Sequence, residues 1–184
     1  MTFLRFVRSD YCRYTGCRKA GIVTLVSKAL FGRIPGYKYS FWLRLARYGN
    51  FLTRPLGIVM HHHYSIKYHI DIKRWCKIGY GLYLSHGMCI VINGRTVIGN
   101  NVNISQFVNI GSNDPACHAT IGDNVYIGPL TSVVGGVTIG NDVTVGSNSM
   151  VNKDIPSGAT AAGVPAKVLN YNSPARYIMN RAEV

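Results

Sequence analysis

Two histidines in unusual surroundings are the first residues of this sequence that could do chemistry. His86 lies within GLYLSHGMCIVINGRTVIG (residues 81–99), a stretch dominated by aliphatic residues and glycines. His118 lies within GSNDPACHA (residues 111–119), which interrupts a similar stretch. A neutral imidazole can take a proton from a hydroxyl group near pH 7, because its pKa lies close to that value. The two stretches therefore suggest general-base chemistry; the alternative for His86 is a buried polar residue.

A metal site fits the sequence less well. The three histidines at 61–63 are adjacent, so they cannot all point in one direction from a helix. No cysteine or acidic residue that could complete a ligand set lies nearby in the sequence. We interpret these histidines as structural or surface residues and expect no metal ion.

The elements that must position His86 and His118 follow a six-residue period. Aliphatic residues recur every six positions between residues 72 and 151, and glycine directly follows many of them. This period is typical of a hexapeptide solenoid, in which three short strands form one triangular coil and stacked coils bury a continuous core. The repeating residues are Ile72, Ile78, Leu84 and Ile90; Ile98, Ile104 and Ile110; and Ile121, Ile127, Val133, Ile139, Val145 and Val151.

Two insertions interrupt the period. Read this way, two residues are added between positions 90 and 98, and five between positions 110 and 121. A solenoid accommodates extra residues at its corners, where they loop outward, and loops on a rigid scaffold often carry function. The second insertion contains His118.

The region before the repeats has a different composition. Residues 1–77 contain 15 Lys or Arg but only Asp10 and Asp71 as acids, whereas the remaining residues are balanced in charge. Residues 1–66 fit helices broken at GRIPGYK (residues 32–38). We favour a basic helical cap on the solenoid, with contact to an anionic membrane face as a compatible alternative. No recognised nucleic-acid-binding module accompanies the basic residues, so no nucleic-acid partner is expected.

Composition limits the class of protein. With 184 residues, 47% hydrophobic and 15% charged, the chain predicts one folded domain rather than a disordered segment. The five cysteines are odd in number and include no CxxC pair, and no secretory signal precedes them, which favours a reduced, cytoplasmic protein, with attachment at the inner membrane face as an extension. No run of eighteen apolar residues predicts a spanning helix.

An ordered set of stretches resembles the hexapeptide acyltransferases, and among them the serine acetyltransferase group. They are IDI (70–72), KIGYGLYLSHG (77–87), IVING (90–94), VIGNNVNI (97–104), VNIG (108–111), CHATIGDNVYIG (117–128) and AAGVPAKV (161–168). The resemblance implies a mainly β fold, a left-handed parallel β-helix preceded by a short α-helical segment. It also implies homotrimers that bind acetyl-CoA between neighbouring subunits.

The resemblance also implies roles for individual residues. His86 matches the general base, and Asp71, fifteen positions earlier, matches the aspartate that orients it. Such a carboxylate fixes the imidazole tautomer and stabilises the imidazolium that forms. His118 matches a histidine that the adjacent subunit contributes to the acceptor site. Gly163 and Lys167, in the GVPAK element, match the border of the CoA site.

Two departures from the group bear on the acceptor. Ser85 stands where an aspartate usually holds the amino group of serine, and Cys117 where an arginine usually holds its carboxylate. Each ionic hydrogen bond contributes roughly 1.5–3 kcal/mol, so a zwitterion would lose much of its recognition. We therefore predict transfer of acetyl to a hydroxyl of a sugar or surface polysaccharide of the capsule or lipopolysaccharide type, with serine as the alternative acceptor.

A non-catalytic trimeric scaffold is the alternative of a different class. A scaffold would need none of Asp71, His86 and His118, so their presence together favours an enzyme. The chain is divided into a basic helical segment (residues 1–66), a β-helix acetyltransferase domain (residues 67–169) and a C-terminal tail (residues 170–184).

Overall fold

The computed structural model describes residues 2–114, 116–172 and 174–183. Its N-terminal part is helical, with α1 (Phe3–Thr15), α2 (Ile22–Phe31), α3 (Pro35–Tyr48) and α4 (Arg54–Tyr68). The break between α2 and α3 falls inside the predicted interruption at 32–38. Over the described ranges, none of the helices combines the length and the hydropathy that crossing a bilayer requires.

Short strands follow from residue 70 onward. They are β1 (Ile70–Ile72), β2 (Lys77–Ile78), β3 (Tyr83–Leu84), β4 (Ile90–Ile92), β5 (Val97–Ile98), β6 (Asn103–Ile104), β7 (Asn109–Gly111), β8 (Thr120–Ile121), β9 (Tyr126–Ile127), β10 (Ser132–Val134), β11 (Thr138–Ile139), β12 (Thr144–Val145), β13 (Met150–Val151), β14 (Thr160–Ala162) and β15 (Lys167–Asn170).

The strands form the three flat faces of a triangular prism. Sheet A has the order β1-β4-β7-β10-β13, sheet B the order β2-β5-β8-β11, and sheet C the order β3-β6-β9-β12-β14-β15. Up to β13 every third strand joins the same sheet; β14 then follows β12 in sheet C, and pairing is parallel until β15 closes this sheet antiparallel to β14. This architecture is the predicted left-handed parallel β-helix with an N-terminal helical segment.

The repeating aliphatic side chains fill the interior of the prism. In sheet A the register stacks Ile72, Ile92, Ile110, Val133 and Val151 on one another, and each is buried to 2% exposure or less. Burying one such side chain contributes roughly 1.5–3 kcal/mol. The core therefore depends on this inward row, whereas Asp71 and Val91, which directly precede two of its members, are exposed.

The structure corrects the position of the two-residue insertion. Ile92, rather than Ile90, is in register with Ile72 and Ile110, so the step of eight residues runs from Leu84 to Ile92 and the step from Ile92 to Ile98 is regular. The sequence period was ambiguous here because Ile90 and Ile92 are both buried. The added residues lie in the corner that contains His86.

The corner between sheets C and A turns through left-handed backbone conformations. One residue in each of four successive turns has a positive φ, namely Cys89, Phe107, Leu130 and Asn148. The N–H groups of Leu130 and Asn148 donate to the preceding coil, to the carbonyls of Gln106 at 3.2 Å and Pro129 at 2.8 Å, and the Cys89 N–H donates to the Tyr68 carbonyl of α4 at 2.9 Å. In the first of these turns, His86 (φ 57°) and Gly87 (φ 52°) add two further left-handed residues.

Helices α1 and α3 cap the first coil with buried charged groups. The Arg44 guanidinium pairs with the Asp10 carboxylate at 2.9 Å and donates to the carbonyls of Ile78 and Gly79 at 2.9 and 2.6 Å. Asp10 accepts from the Leu82 N–H at 2.8 Å. Backbone groups at the open end of the prism thus gain partners, which a buried end requires.

The C-terminal residues return to the same end of the molecule. The Ala182 N–H donates to the Asn101 side-chain oxygen at 2.9 Å, and the Asn101 amide donates to the Ala182 carbonyl at 3.1 Å. The Arg13 guanidinium of α1 donates to the Met179 carbonyl at 2.9 Å. The tail therefore links the last coil to the helical cap.

Candidate active site

His86 occupies the inserted corner, two residues after β3, with its side chain exposed. The backbone on both sides of it is fixed by the helices. The Leu84 N–H donates to the Tyr14 hydroxyl of α1 at 2.8 Å, and a Cβ atom at Gly87 would overlap the backbone of Gly36 at the start of α3. Gly87 is needed both for this close approach and for its positive φ. The helical cap therefore positions an accessible imidazole on a rigid corner.

Asp71 lies at the middle of β1, between two inward isoleucines, and faces outward. In the structure its carboxylate pairs with the Lys73 ammonium at 2.8 Å, and both side chains are about half exposed. The described residues include no hydrogen bond from Asp71 to His86, so the pairing of these two remains a prediction. An exposed ion pair contributes about 1 kcal/mol or less, so the carboxylate can change partner at small cost.

The five-residue insertion forms a loop at the corner between sheets A and B, and it contains His118 with its side chain exposed. The thiol of the neighbouring Cys117 donates to the Asp114 carboxylate at 3.3 Å. This hydrogen bond raises the pKa of Cys117, so the thiol stays neutral at pH 7. The loop therefore presents a carboxylate beside the position where the resembled enzymes carry an arginine.

The two histidines lie at opposite edges of sheet A. His86 is in the corner that precedes β4, and His118 in the corner that follows β7. Between them a groove of about 520 Å³ crosses the outer face of sheet A, lined among others by Asp71, Lys73 and Asn109. A three-residue strand alone spans about 10 Å. Within one chain the two imidazoles are therefore attached at opposite sides of this face.

Gly163 and Lys167 lie at the far end of the prism. Gly163 follows β14 with φ 105°, and its carbonyl accepts from the Met150 N–H at 3.0 Å. It therefore occupies the corner between sheets C and A, the same edge as His86 but four coils further along, about 19 Å at 4.8 Å per coil. Lys167 begins β15 and is exposed. Both residues remain predicted cofactor contacts.

Sequence reasoning missed two charged partners at this site. Lys73 follows Asp71 by two residues in an extended segment, which puts both side chains on one face; that spacing was the available signal. The contact of Asp114 with Cys117 depends on the turn of the loop, in which the Ala116 N–H also donates to Asp114 at 2.8 Å. An Asp three residues before the cysteine gave only a weak hint of it.

The histidines at 61–63 divide into one structural residue and two exposed ones. His61 Nε2 lies 2.9 Å from the Tyr39 hydroxyl, which also accepts from the Ile72 N–H at 3.2 Å. Burial lowers the pKa of His61 to about 4, so its ring is neutral at physiological pH and braces α4 against α3. No cluster of three metal-ligating side chains occurs among the described residues.

Comparison with known proteins agrees with the fold. The family model for the bacterial transferase hexapeptide (six repeats) matches residues 118–153. The serine acetyltransferase of Helicobacter pylori strain J99 is 39% identical over 103 residues, 54% of this chain and 60% of that protein. The serine acetyltransferase of Haemophilus influenzae is 30% identical over 149 residues, 79% of this chain and 54% of that protein.

Solved structures extend the likeness to the helical segment. A serine acetyltransferase in complex with CoA superposes with a TM-score of 0.72 at 28% identity, over 91% of this chain and 69% of that one. The chain spans about 30–60% of the length of the curated relatives it matches. The chain is therefore similar in fold, and in part of its sequence, to hexapeptide-repeat transferases, with serine acetyltransferases among the proteins that it matches.

Proposed function

We propose that the chain is an acetyl-CoA-dependent O-acetyltransferase with His86 as its general base. The observation that carries this proposal is that both insertions in the six-residue period fall at prism corners and each presents an exposed histidine. Serine acetyltransferase relatives, one of them solved with CoA, support acetyl-CoA as the co-substrate.

The reaction needs one proton acceptor and one leaving group. The His86 imidazole removes the proton of the acceptor hydroxyl, and the oxygen attacks the thioester carbonyl carbon. The carbon–sulfur bond then breaks, and the CoA thiolate takes the proton back from the imidazolium, which leaves acetyl ester and free thiol. General-base assistance of this kind contributes typically 10²–10⁴-fold in rate.

Asp71 and His118 have supporting roles in this proposal. Asp71 exchanges Lys73 for the His86 ring when the site assembles, and so fixes the ring tautomer. His118 reaches the acceptor from a neighbouring copy, because in its own chain it lies at the opposite edge of sheet A.

The cofactor fits the edge of the prism that runs from His86 to Gly163. Two apolar side chains with left-handed backbone, Phe107 and Leu130, are about half exposed along this edge. They offer an apolar surface to the CoA chain. Lys167, at the end of the same edge, offers an ammonium group to a CoA phosphate.

Serine is the acceptor that the relatives support, since the matched proteins are named serine acetyltransferases. This favours the alternative of the sequence analysis over its preferred sugar acceptor. We therefore take serine as the first candidate acceptor.

An uncharged hydroxyl, such as that of a sugar, is the second candidate. Ser85 carries no charge for an amino group, and Cys117 sits beside the Asp114 carboxylate at 3.3 Å. At this position a negative group would repel the carboxylate of serine, whereas a sugar hydroxyl would be tolerated.

Release of free thiol from acetyl-CoA tests both candidates. The purified protein is incubated with acetyl-CoA and with serine, simple sugars or oligosaccharides in separate reactions. Faster turnover with serine supports the first acceptor, and faster turnover with a sugar supports the second. His86→Ala should lower turnover by about 10²–10⁴-fold, whereas His62→Ala, which removes an exposed histidine of α4, should not. Full activity of His86→Ala would remove the base assignment.

A further inference from the structure

Two arginines are buried in the helical cap, and only one of them has a carboxylate partner. Arg13 of α1 is 3% exposed and Arg44 of α3 is 1% exposed. Arg44 pairs with the Asp10 carboxylate through two hydrogen bonds, at 2.9 and 3.1 Å. Among the described residues, Arg13 forms no ion pair. The buried charges of the cap are therefore Asp10 (−1), Arg13 (+1) and Arg44 (+1), which sum to +1.

The hydrogen bonds of Arg13 use only part of its guanidinium group. Its Nε donates to the Met179 carbonyl at 2.9 Å, one Nη donates to the Gly81 carbonyl at 2.7 Å, and the other donates to the Asn103 side-chain oxygen. A guanidinium has five N–H donors, so two of them lack an acceptor in the described part of the chain. Burial lowers the pKa of Arg13 to about 10, and the group stays charged at pH 7. A buried cation that has only uncharged partners favours the binding of an anion.

A cleft of about 210 Å³ lies beside this guanidinium group, and we call it the Arg13 cleft. The Tyr14 and Tyr83 rings stack with their centroids 4.4 Å apart, and the guanidinium carbon of Arg13 lies 5.9 Å from the centre of the Tyr83 ring. The described residues that line the cleft include no aspartate or glutamate. They are Arg13 and Tyr14 of α1, Tyr83 of β3, Asn103 of β6, and Tyr177, Met179 and Asn180 near the C-terminus.

We propose that the Arg13 cleft binds a small organic monocarboxylate, with its carboxylate group on Arg13 and its organic part against the tyrosine rings. One negative charge neutralises the excess charge of the cap, and a carboxylate accepts the two unused N–H groups in charge-assisted hydrogen bonds. A water molecule could accept the same N–H groups but carries no charge. A phosphate dianion would reverse the sign of the excess. The faces of the tyrosine rings suit an apolar or aromatic group.

The Arg13 cleft is separate from the site proposed for acetyl transfer. It lies against strands of sheet C, whereas the groove between His86 and His118 crosses sheet A. The two sites are nevertheless close along the chain, because the Tyr14 hydroxyl accepts from the Leu84 N–H at 2.8 Å, two residues before His86. Carboxylate binding at Arg13 does not depend on the proposed function and can be tested without turnover.

Benzoate and benzamide test the cleft as two probes of nearly the same shape that differ in charge. Isothermal titration calorimetry of the full chain should show one benzoate site per chain. Its affinity should exceed that for benzamide by at least about 10-fold, because a charge-assisted hydrogen bond is stronger than a neutral one. Equal affinities for the two probes, or no binding of benzoate, would overturn the proposal.

A pair of arginine variants tests whether Arg13 is responsible. Arg13→Gln keeps a side chain that can donate to the surrounding carbonyls but removes the cation, and it should weaken benzoate binding by at least about 10-fold. Arg18→Gln removes the same charge from an exposed position outside the cleft and should change the affinity by less than about 2-fold. Circular dichroism checks that both variants are folded. Equal weakening would mean that benzoate responds to the net charge of the chain, and the cleft would be the wrong assignment.

A second pair of variants adds an anion without changing a buried group. Met179 lines the cleft and is 68% exposed, and its carbonyl already accepts from Arg13. Met179→Glu brings a carboxylate to the cleft that competes with the probe, and should weaken benzoate binding by at least about 10-fold. Asn172→Glu adds the same charge at an exposed position that does not line the cleft, and should change the affinity by less than about 2-fold. If Arg13→Gln does not fold, this pair decides alone: unchanged benzoate binding in Met179→Glu would refute the site.

Discussion

Two regions of the same prism are built on different rules. From Ile121 to Val151 the inward residues follow one another every six positions, and this region holds none of the candidate catalytic side chains. From Leu84 to Ile121 the period is broken at two corners, and each break presents an exposed histidine. The regular coils supply rigidity, and the chemistry lies where the repeat is interrupted.

The two regions also differ in what stabilises them. Side-chain amides and carboxylates at one corner join successive coils in both regions; the Tyr80 N–H donates to Asn100 at 3.1 Å, the Asn100 N–H to Asp123 at 2.7 Å, and the Asp123 N–H to Asn141 at 2.8 Å. The first coil has in addition buried charged groups from the helices, above all Arg44 with Asp10. The first coil, which leads into the corner of His86, therefore has the helical cap as a further support beside the ladder that all these coils share.

The largest expected effect comes from making the interrupted region regular. Deletion of residues 112–116 restores the six-residue step between Ile110 and Ile121 while retaining His118. The coil should still form, because exposed loop residues contribute little to the core. Activity should fall by about 10²–10⁴-fold, since His118 is drawn in toward the prism and no longer reaches the acceptor. Thiol release and thermal unfolding measure the two effects.

Two outcomes of the deletion would contradict the distinction between regular and interrupted regions. Retained activity would mean that the loop has no part in the site. A loss of folding would mean that the insertion is structural, and that regular and interrupted corners do not differ in kind.

The second prediction concerns the cap on the first coil. Arg44→Met leaves the Asp10 carboxylate buried without its partner, which should lower the free energy of unfolding by about 3–5 kcal/mol. Arg18→Met is the matched control, because Arg18 pairs with Glu183 at the same 2.9 Å distance but in an exposed position. That change should cost about 1 kcal/mol or less. Urea unfolding at one protein concentration compares the two variants.

Equal losses in the two arginine variants would show that the buried pair is no more important than the exposed one. The prism would then not depend on its cap, and the proposed difference between the first coil and the regular coils would be wrong.

The sequence predicted the regular region better than the interrupted one, for a physical reason. A stacked coil repeats one environment, so Ile121, Ile127 and their successors carry the pattern in their side chains alone. At the first interruption Ile90 and Ile92 are both isoleucines and both buried. The sequence alone therefore could not distinguish which of them belongs to the repeat. Only the pairing of Ile92 with Ile110 identifies the corner of His86 as the inserted one.

Contacts of the candidate site were harder to predict than its residues. The types of His86, His118 and Asp71 pointed to proton transfer, but the partner that Asp71 takes depends on side-chain reach. In one chain that partner is Lys73 at 2.8 Å. The proposed sharing of the site between copies could not be predicted from any local stretch, because the two histidines come from opposite edges of one sheet.

The smallest predicted effect tests the inside and outside of a regular coil at adjacent positions. Val133 and Val134 are neighbours on β10; Val133 is 1% exposed and faces the core, whereas Val134 is 48% exposed on the outer face of sheet A. Val133→Ala removes buried apolar volume and should lower the free energy of unfolding by about 2 kcal/mol. Val134→Ala should change it by less than about 0.5 kcal/mol. Urea unfolding of both at one concentration measures the difference; similar losses would mean that the inward row does not carry the stability of the regular coils.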